Sequence, residues 1–138
     1  MLKKEEYLKY EIFYFSRNNK CIVLDFLEYD LQKRNFKLFQ KTLAMLHELN
    51  KYFLIQGKYI DYLRNGSFSC FELRVNLKND IVRIFFKDDD IHKRFVVLYG
   101  FIKKTQKTPL REIEKTEGYW KEYIFTLTAD LLSPKIKS

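Results

Sequence analysis

The stretch FELRVNLKNDIVRIFFKDDDIHKRFVVLYGFI, residues 71–102, decides the fold because its apolar residues either alternate with polar ones or form short β-rich runs. In FELRV the apolar side chains point one way and the polar side chains the other, as a half-buried strand requires. Ile81–Lys87 and Arg94–Ile102 are rich in Val, Ile and Phe, which favour strands. Short polar segments separate the three runs. We therefore predict a meander of three consecutive antiparallel strands.

Other elements flank the meander on both sides. Ile12–Phe15 is predicted as a short strand, and apolar spacings of three and four predict helices over Cys21–Tyr29 and Leu31–Phe53. Thr108 and Pro109 suit the N-cap and first turn of a last helix. The predicted fold is α+β, with helices stacked on one face of a small, mainly antiparallel sheet. The apolar side of the last helix is predicted to carry Leu110, Ile113, Trp120 and Ile124.

Length and composition bound the class of protein. A chain of 138 residues with 46% hydrophobic residues predicts one domain with one core. Lys and Arg outnumber Asp and Glu by 26 to 18, a net charge of +8, which favours a polyanionic partner such as nucleic acid, an anionic membrane surface or an acidic protein. The longest apolar run, Phe95–Ile102, falls short of the roughly 20 residues that a spanning helix needs. A cytoplasmic protein is therefore expected.

The sequence offers little for metal or cysteine chemistry. His92 follows the three aspartates of KDDDIHK, and this segment is more simply a polar hairpin turn than a metal site. Cys21 with His47 is the sole nucleophile pairing on offer, and the helical spacing puts neither in an evident cleft. Cys21 and Cys70 lie far apart, in no CxxC spacing, so two reduced thiols are expected. We predict no metal and no cofactor.

Basic residues recur on and after the predicted sheet. Arg74 lies on the polar face of its strand, whereas Arg83 interrupts the apolar run DIVRIFF. An arginine in an apolar strand carries a desolvation cost unless it meets a carboxylate or serves an anionic ligand. The residues alone leave both explanations open, the first being a salt bridge, for instance to Glu72. The last strand is followed by Lys103, Lys104 and Lys107.

Three strings resemble a known family. FELRV, DIVRIFF and VVLYGFIKKTQKTPLREIEK are similar to the phage-derived HigB-like branch of the RelE/ParE toxins, whose pattern has a Glu-Leu-Arg strand, an Arg-containing strand and a basic finish. The resemblance covers about Tyr10–Tyr123, and its most diagnostic piece is KKTQKTP, Lys103–Pro109. It implies one RelE-like domain with two N-terminal helices on one face of the sheet and a C-terminal helix.

The resemblance also implies an activity. Such proteins are toxins of type II toxin-antitoxin systems that cleave messenger RNA on the ribosome without a metal ion and inhibit translation. Their partners are mRNA, the ribosome and a cognate antitoxin with a helix-turn-helix domain, in a toxin-antitoxin hetero-oligomer. In this mechanism the ribose 2′-OH attacks the adjacent phosphate, and the protein stabilises the charge that develops on phosphorus.

Site residues follow from the matched motifs. Arg74 and Arg83 are the predicted catalytic arginines, because guanidinium groups donate charge-assisted hydrogen bonds to phosphate oxygens. Tyr99 stands where the family commonly has histidine. Its ordinary pKa of about 10, against about 6.5 for histidine, makes it a poorer base at neutral pH, so its predicted role is proton donor or stacking surface. The predicted RNA-binding residues are Lys103, Lys104 and Lys107.

Two alternatives stay open. The first is a catalytically inert member of the fold that grips RNA or an acidic partner without cutting. The second is a ParE-like poison of DNA gyrase, since that lineage shares the scaffold and a fold alone does not fix function. The paired strand arginines followed by lysines favour the ribonuclease, whereas the missing histidine favours the inert binder.

Overall fold

The structure is a computed structural model that describes residues 9–52, 60–76, 79–103 and 107–132. Its centre is a five-stranded sheet in the order β1-β7-β6-β5-β4, and a two-stranded β2–β3 hairpin follows β1. The fold is α+β, as predicted. The strands are β1 (Glu11–Tyr14), β2 (Ser16–Arg17), β3 (Lys20–Cys21), β4 (Ile60–Asn65), β5 (Phe68–Asn76), β6 (Ile81–Asp89) and β7 (Arg94–Lys103).

The antiparallel meander is confirmed, and it is one strand longer than predicted. β4 pairs antiparallel with β5, β5 with β6, and β6 with β7. The sequence did not single out β4 because it is an edge strand whose residues are half-buried or exposed throughout, so it lacks the fully apolar face of its neighbours. β1 joins the far side of β7 in parallel, from Glu11 beside Arg94 to Tyr14 beside Val97.

The N-terminal helix pair differs from prediction at its junction. The first helix, α1, spans residues 22–34, with π-helical geometry over Phe26–Leu31. The second, α2, is Phe36–Tyr52, so the predicted start at Leu31 is wrong, and the predicted end at Phe53 falls outside the described residues. Asn35 is extended, with φ −163°. Its side-chain oxygen accepts a hydrogen bond from Leu38 N at 3.2 Å, which makes it the N-cap of α2.

Helices cover both faces of the sheet. α1 and α2 pack on one face, where Leu27, Leu31, Leu46 and Leu49 join the strand residues in a single buried cluster. The last helix, α3 (Leu110–Leu132), packs on the other face. We name the two sides the helix-pair face and the α3 face. The predicted placement of two helices on one face is confirmed.

The buried side of α3 is rotated from the predicted one. Ile113 is buried as expected, but Leu110 is 55% exposed and Ile124 is 40% exposed. Thr116 and Tyr123 are buried in their place. Tyr123 was not among the predicted apolar residues; its hydroxyl needs a partner when buried, and Asp89 accepts its hydrogen bond.

The β6–β7 turn is a polar hairpin turn, as predicted, and it is tied to the rest of the molecule. Asp89 is buried and accepts hydrogen bonds from His92 N at 3.1 Å and from Tyr123 Oη. His92 Nδ1 lies 2.8 Å from the same carboxylate, and Tyr10 Oη donates to Asp90 at 2.8 Å. Among the described residues, no three His, Cys, Asp or Glu side chains gather closely enough to hold a metal ion.

Two further observations bear on the class of protein. Cys21 and Cys70 are free thiols, the first half-buried and the second buried. Burial raises the pKa of Cys70 to about 12, so its thiol keeps its proton at neutral pH. Within the described ranges, no helix combines the length and the apolar character needed to cross a lipid bilayer.

Candidate functional site

The predicted strand residues meet on the α3 face in two adjacent rows. Arg74 of β5 is the register partner of Arg83 of β6, and Arg83 is the register partner of Phe101 of β7. With strands about 4.8 Å apart, Arg74 and Phe101 are separated by roughly 10 Å. The neighbouring row is formed by Asp61, Glu72, Phe85 and Tyr99.

A β-bulge brings Tyr99 to this face. The register of β6 and β7 shifts between Phe85 and Phe86, so that Phe86 pairs with Val97 whereas Phe85 pairs with Tyr99. Val97 packs in the core of the helix-pair face, and strict alternation would send Tyr99 there too. The additional residue, Leu98, reverses the phase, as bulges do. Tyr99 therefore lies in the row next to the one formed by Arg74, Arg83 and Phe101.

Arg83 is held in a buried ion pair. Its side chain is 1% exposed, and Nη1 donates to Glu72 Oε1 at 2.7 Å, where the Glu72 side chain is also 1% exposed. Nη1 also donates to Thr108 Oγ1 at 2.6 Å, and the Thr108 hydroxyl donates to the other Glu72 oxygen. These contacts attach the start of the segment leading into α3 to the centre of the sheet.

Arg74 stands beside this buried pair and is open to solvent. Its side chain is 26% exposed and lies 2.8 Å from Asp61 Oδ2, measured from Nη2. Its Nε is 3.8 Å from Glu72 Oε1. The partner carboxylate of Asp61 is 43% exposed, and a partly exposed ion pair of this kind contributes little to stability. Arg74 and Asp61 therefore form a weak pair that solvent can reach.

Tyr99 lies in an aromatic stack with a lysine over it. Its ring is nearly parallel to those of Phe85 and Phe101, at centroid distances of 6.1 Å and 5.9 Å. Lys115 Nζ lies 4.9 Å from the ring centroid and donates to the hydroxyl at 3.4 Å. Burial, together with Glu112, raises the pKa of Tyr99 above its ordinary value. The phenol therefore keeps its proton at neutral pH.

The three predicted lysines have different positions. Lys103 ends β7, half-buried, with Ile81 as its register partner. Lys107 is exposed and immediately precedes Thr108. Lys104 falls outside the described residues. Lys103 and Lys107 thus lie at the end of the sheet where Arg74 is open to solvent.

Sequence reasoning missed two members of this site. Glu72 was weighed as a salt-bridge partner of Arg83, and the structure places it there. Asp61 was not considered because β4 was not predicted. Thr108 was assigned to the helix N-cap, yet its hydroxyl serves Arg83 and Glu72, and the helix begins two residues later at Leu110. The sequence signal for this part of the site was the alternation of FELRV, which puts Glu72 and Arg74 on one face of the sheet.

A family model described as phage-derived protein Gp49-like matches residues 29–121, from within α1 to within α3. The chain belongs to the Gp49-like family. This is a RelE-like, toxin-like family of phage-derived proteins. The Gp49-like match contains the whole of both strand rows, Thr108 and the lysines, but it excludes β1 and the β2–β3 hairpin. A comparison with curated proteins found no match.

Proposed function

We propose that the protein is the toxin of a type II toxin-antitoxin system, from the HigB-like branch of its family, and that it cleaves mRNA on the ribosome. The observation that carries the proposal is the open Arg74 beside the buried Glu72–Arg83–Thr108 cluster, with Tyr99 in the neighbouring row. A preorganised cation in a partly dry site is what stabilisation of a phosphorane requires.

In the proposed reaction the ribose 2′ hydroxyl loses its proton to water as its oxygen attacks the adjacent phosphorus, and the 5′ oxygen of the next nucleotide leaves and takes up a proton from water. The products are a 2′,3′-cyclic phosphate and a 5′ hydroxyl, and no cofactor takes part. Arg74 exchanges Asp61 for a non-bridging phosphate oxygen and neutralises the charge that grows there. Tyr99, which keeps its proton, donates a hydrogen bond to the departing oxygen.

Arg83 has a positioning role in this proposal. Its guanidinium donates hydrogen bonds to Glu72 and Thr108. The direct contact of Arg83 with phosphate that the sequence suggested therefore stays a prediction. The ion pair holds Glu72 away from the place where the phosphate is proposed to bind, and it fixes the position of Thr108. Thr108 in turn fixes the position of the adjoining Lys107 relative to the sheet. Arg83 thereby orders the surface on which Arg74 acts.

The lysines and the net charge suit the proposed partners. Lys103, Lys104 and Lys107 hold mRNA or ribosomal RNA phosphates, and such contacts weaken as the salt concentration rises. The antitoxin is proposed to be a helix-turn-helix protein, which neutralises the toxin in a hetero-oligomer.

A biochemical experiment tests the proposal. Purified protein is added to a translating extract, and cuts in the message are mapped by primer extension. We expect Arg74→Ala to lower the cleavage rate about 100-fold or more, because a cation aimed at the phosphate is lost. Arg64→Ala is the control: Arg64 is an exposed arginine on β4 whose register neighbours place it on the helix-pair face. Equal rates for both variants would contradict the proposed role of Arg74.

The carboxylate partners of both arginines favour one second candidate, an RNA-binding protein without cutting activity. If Asp61 and Glu72 keep their arginines when RNA binds, the surface grips phosphates but stabilises no transition state. In that case the wild-type protein binds RNA in the same extract and leaves the message intact. The two candidates are therefore separated by one assay.

A further inference from the structure

β7 has an open edge over the second half of its length. β1 pairs with β7 from Arg94 to Val97, whereas β7 continues to Lys103. In the described part of the chain, no other strand lies on this side of β7. A groove of about 1030 Å³ follows the open edge, between α1, the β2–β3 hairpin and α3.

The groove combines aromatic rings with positive charge. Tyr29, Tyr99, Phe101 and Tyr119 line it, and Tyr29 is 57% exposed. Four basic side chains line it against two carboxylates, those of Asp25 and Asp30. The basic side chains are Arg17, Lys20, Lys33 and Arg34.

One of these cations, Arg17, also packs against an aromatic ring of the groove, that of Tyr119. The Arg17 guanidinium lies 4.8 Å from the centroid of Tyr119 and forms an ion pair with Glu122. The ring of Tyr119 packs tilted against Tyr99 at 5.8 Å. Tyr119 is therefore held in place where the groove meets the row that contains Tyr99.

We propose that this groove binds the single-stranded RNA that flanks the scissile phosphate, with bases against the tyrosine rings and phosphates at the lysines. The inference rests on the proposed function, because it extends the same substrate beyond the reacting nucleotides. The volume of the groove is at the upper end of the range of about 300–1,000 Å³ for ligand pockets, so the groove has room for more than one nucleotide.

The lining favours RNA over a peptide strand added to the β7 edge. Aromatic ring faces interleaved with cations are the usual means of binding single strands without regard to sequence. The groove is also continuous with the proposed cleavage surface, because Tyr99 and Phe101 belong to both.

The test measures RNA binding without cleavage. Oligonucleotides with 2′-O-methyl riboses cannot react, and their affinity for the full chain is measured by fluorescence anisotropy at lengths of four and twelve nucleotides. The variant Tyr29→Ala/Lys33→Ala removes one ring and one cation from the groove. Its control is Lys37→Ala/Lys41→Ala, since both lysines are exposed on α2 and away from the groove.

We expect the groove variant to bind the twelve-mer about tenfold more weakly than wild type and the four-mer within about twofold of wild type. The control variant should weaken both lengths equally and slightly. Equal affinities of the groove variant and the control for the twelve-mer would overturn the inference. So would a groove variant that keeps RNA affinity and loses binding of the antitoxin, which would assign the groove to a peptide.

Binding and cutting are read separately, so the two proposals fail separately. A wild-type protein that binds the twelve-mer through the groove but cuts no message removes the proposed function and leaves the groove as an RNA site. A wild-type protein that cuts messages, and whose groove variant binds the twelve-mer with unchanged affinity, removes the groove and leaves the proposed function.

Discussion

At the scale of single residues, Arg83 shows why a charge inside the sheet is tolerated. Its guanidinium and the Glu72 carboxylate are both 1% exposed, and Thr108 fills a further hydrogen-bonding position on each. Burying either charge alone would cost several kcal/mol, whereas the pair compensates most of this cost. The cluster is therefore sensitive to the loss of one partner and tolerant of the loss of both.

Replacing Arg83 by methionine should destabilise the protein by about 3–5 kcal/mol, because Glu72 is then a buried charge without its partner. Urea unfolding followed by circular dichroism measures the free energy of unfolding. The double variant Arg83→Met/Glu72→Leu should recover most of the loss, since both charges are gone. A single variant within about 1 kcal/mol of wild type would show that the pair is not buried in solution.

Asp89 should make stability depend on pH in the acid range. Burial opposes its ionisation, but hydrogen bonds from Tyr123 and from His92 outweigh burial and lower its pKa below the ordinary 3.8. The stabilisation is present above the unfolded pKa of about 3.9 and is lost as the pH falls through the lower folded pKa. Unfolding midpoints between about pH 6 and pH 2 should fall less steeply in Asp89→Asn. Identical slopes for wild type and variant would contradict this assignment.

At the scale of elements, the packing of α1 on β7 depends on Gly100. A Cβ at this position would lie 2.6 Å from Ile84 Cδ1 and 2.9 Å from Phe26 Cδ2. Both neighbours are core side chains with little freedom to move. Glycine therefore allows the helix to approach the strand at the level of the candidate site.

Gly100→Ala should destabilise the protein by about 1–3 kcal/mol through overpacking. Gly118 provides the matched control, because it lies in α3 with no atom within 4 Å of the position that a Cβ would take. Gly118→Ala should stabilise α3 by roughly 0.5–1 kcal/mol. Thermal unfolding compares the two. Effects of the same sign would contradict the close contact at Gly100.

The elements also show how far sequence patterns lead. Alternation in FELRV, together with the Val, Ile and Phe content of Ile81–Lys87 and Arg94–Ile102, predicted the meander. Neither the bulge at Leu98 nor the parallel pairing of β1 could be predicted, since both depend on partners distant in sequence. The junction of α1 and α2 carried a local signal, Asn35, whose side chain suits an N-cap, but continuous helical spacing masked it.

The candidate site was predictable in its members more than in its arrangement. Arg74, Tyr99 and Lys103 lie on one face; the resemblance grouped them as site residues, whereas strict alternation along β7 would have placed Tyr99 on the opposite face. The burial of Arg83 was one of two alternatives that the residues left open. The choice between them required the position of Thr108, which comes from a segment beyond the sheet and therefore from tertiary structure.

At the scale of the whole molecule, the net charge of +8 should make RNA binding strongly dependent on salt. Each lysine that contacts a phosphate contributes about one unit to the slope of log affinity against log salt, less for single strands. We expect Lys103→Gln and Lys107→Gln each to reduce this slope by roughly one or less. Anisotropy titrations from about 50 to 200 mM salt measure it. An unchanged slope would remove that lysine from the interface.

The central claim, that this chain cuts messages at the surface of Arg74, is tested most directly by mapping RNA 5′ ends in bacteria after brief induction. Wild type and Arg64→Ala should arrest growth and produce new 5′ ends within translated messages. Arg74→Ala, expressed and folded to the same extent, should produce few or none. Arrest without new 5′ ends in wild type, or undiminished cutting by Arg74→Ala, would contradict the claim.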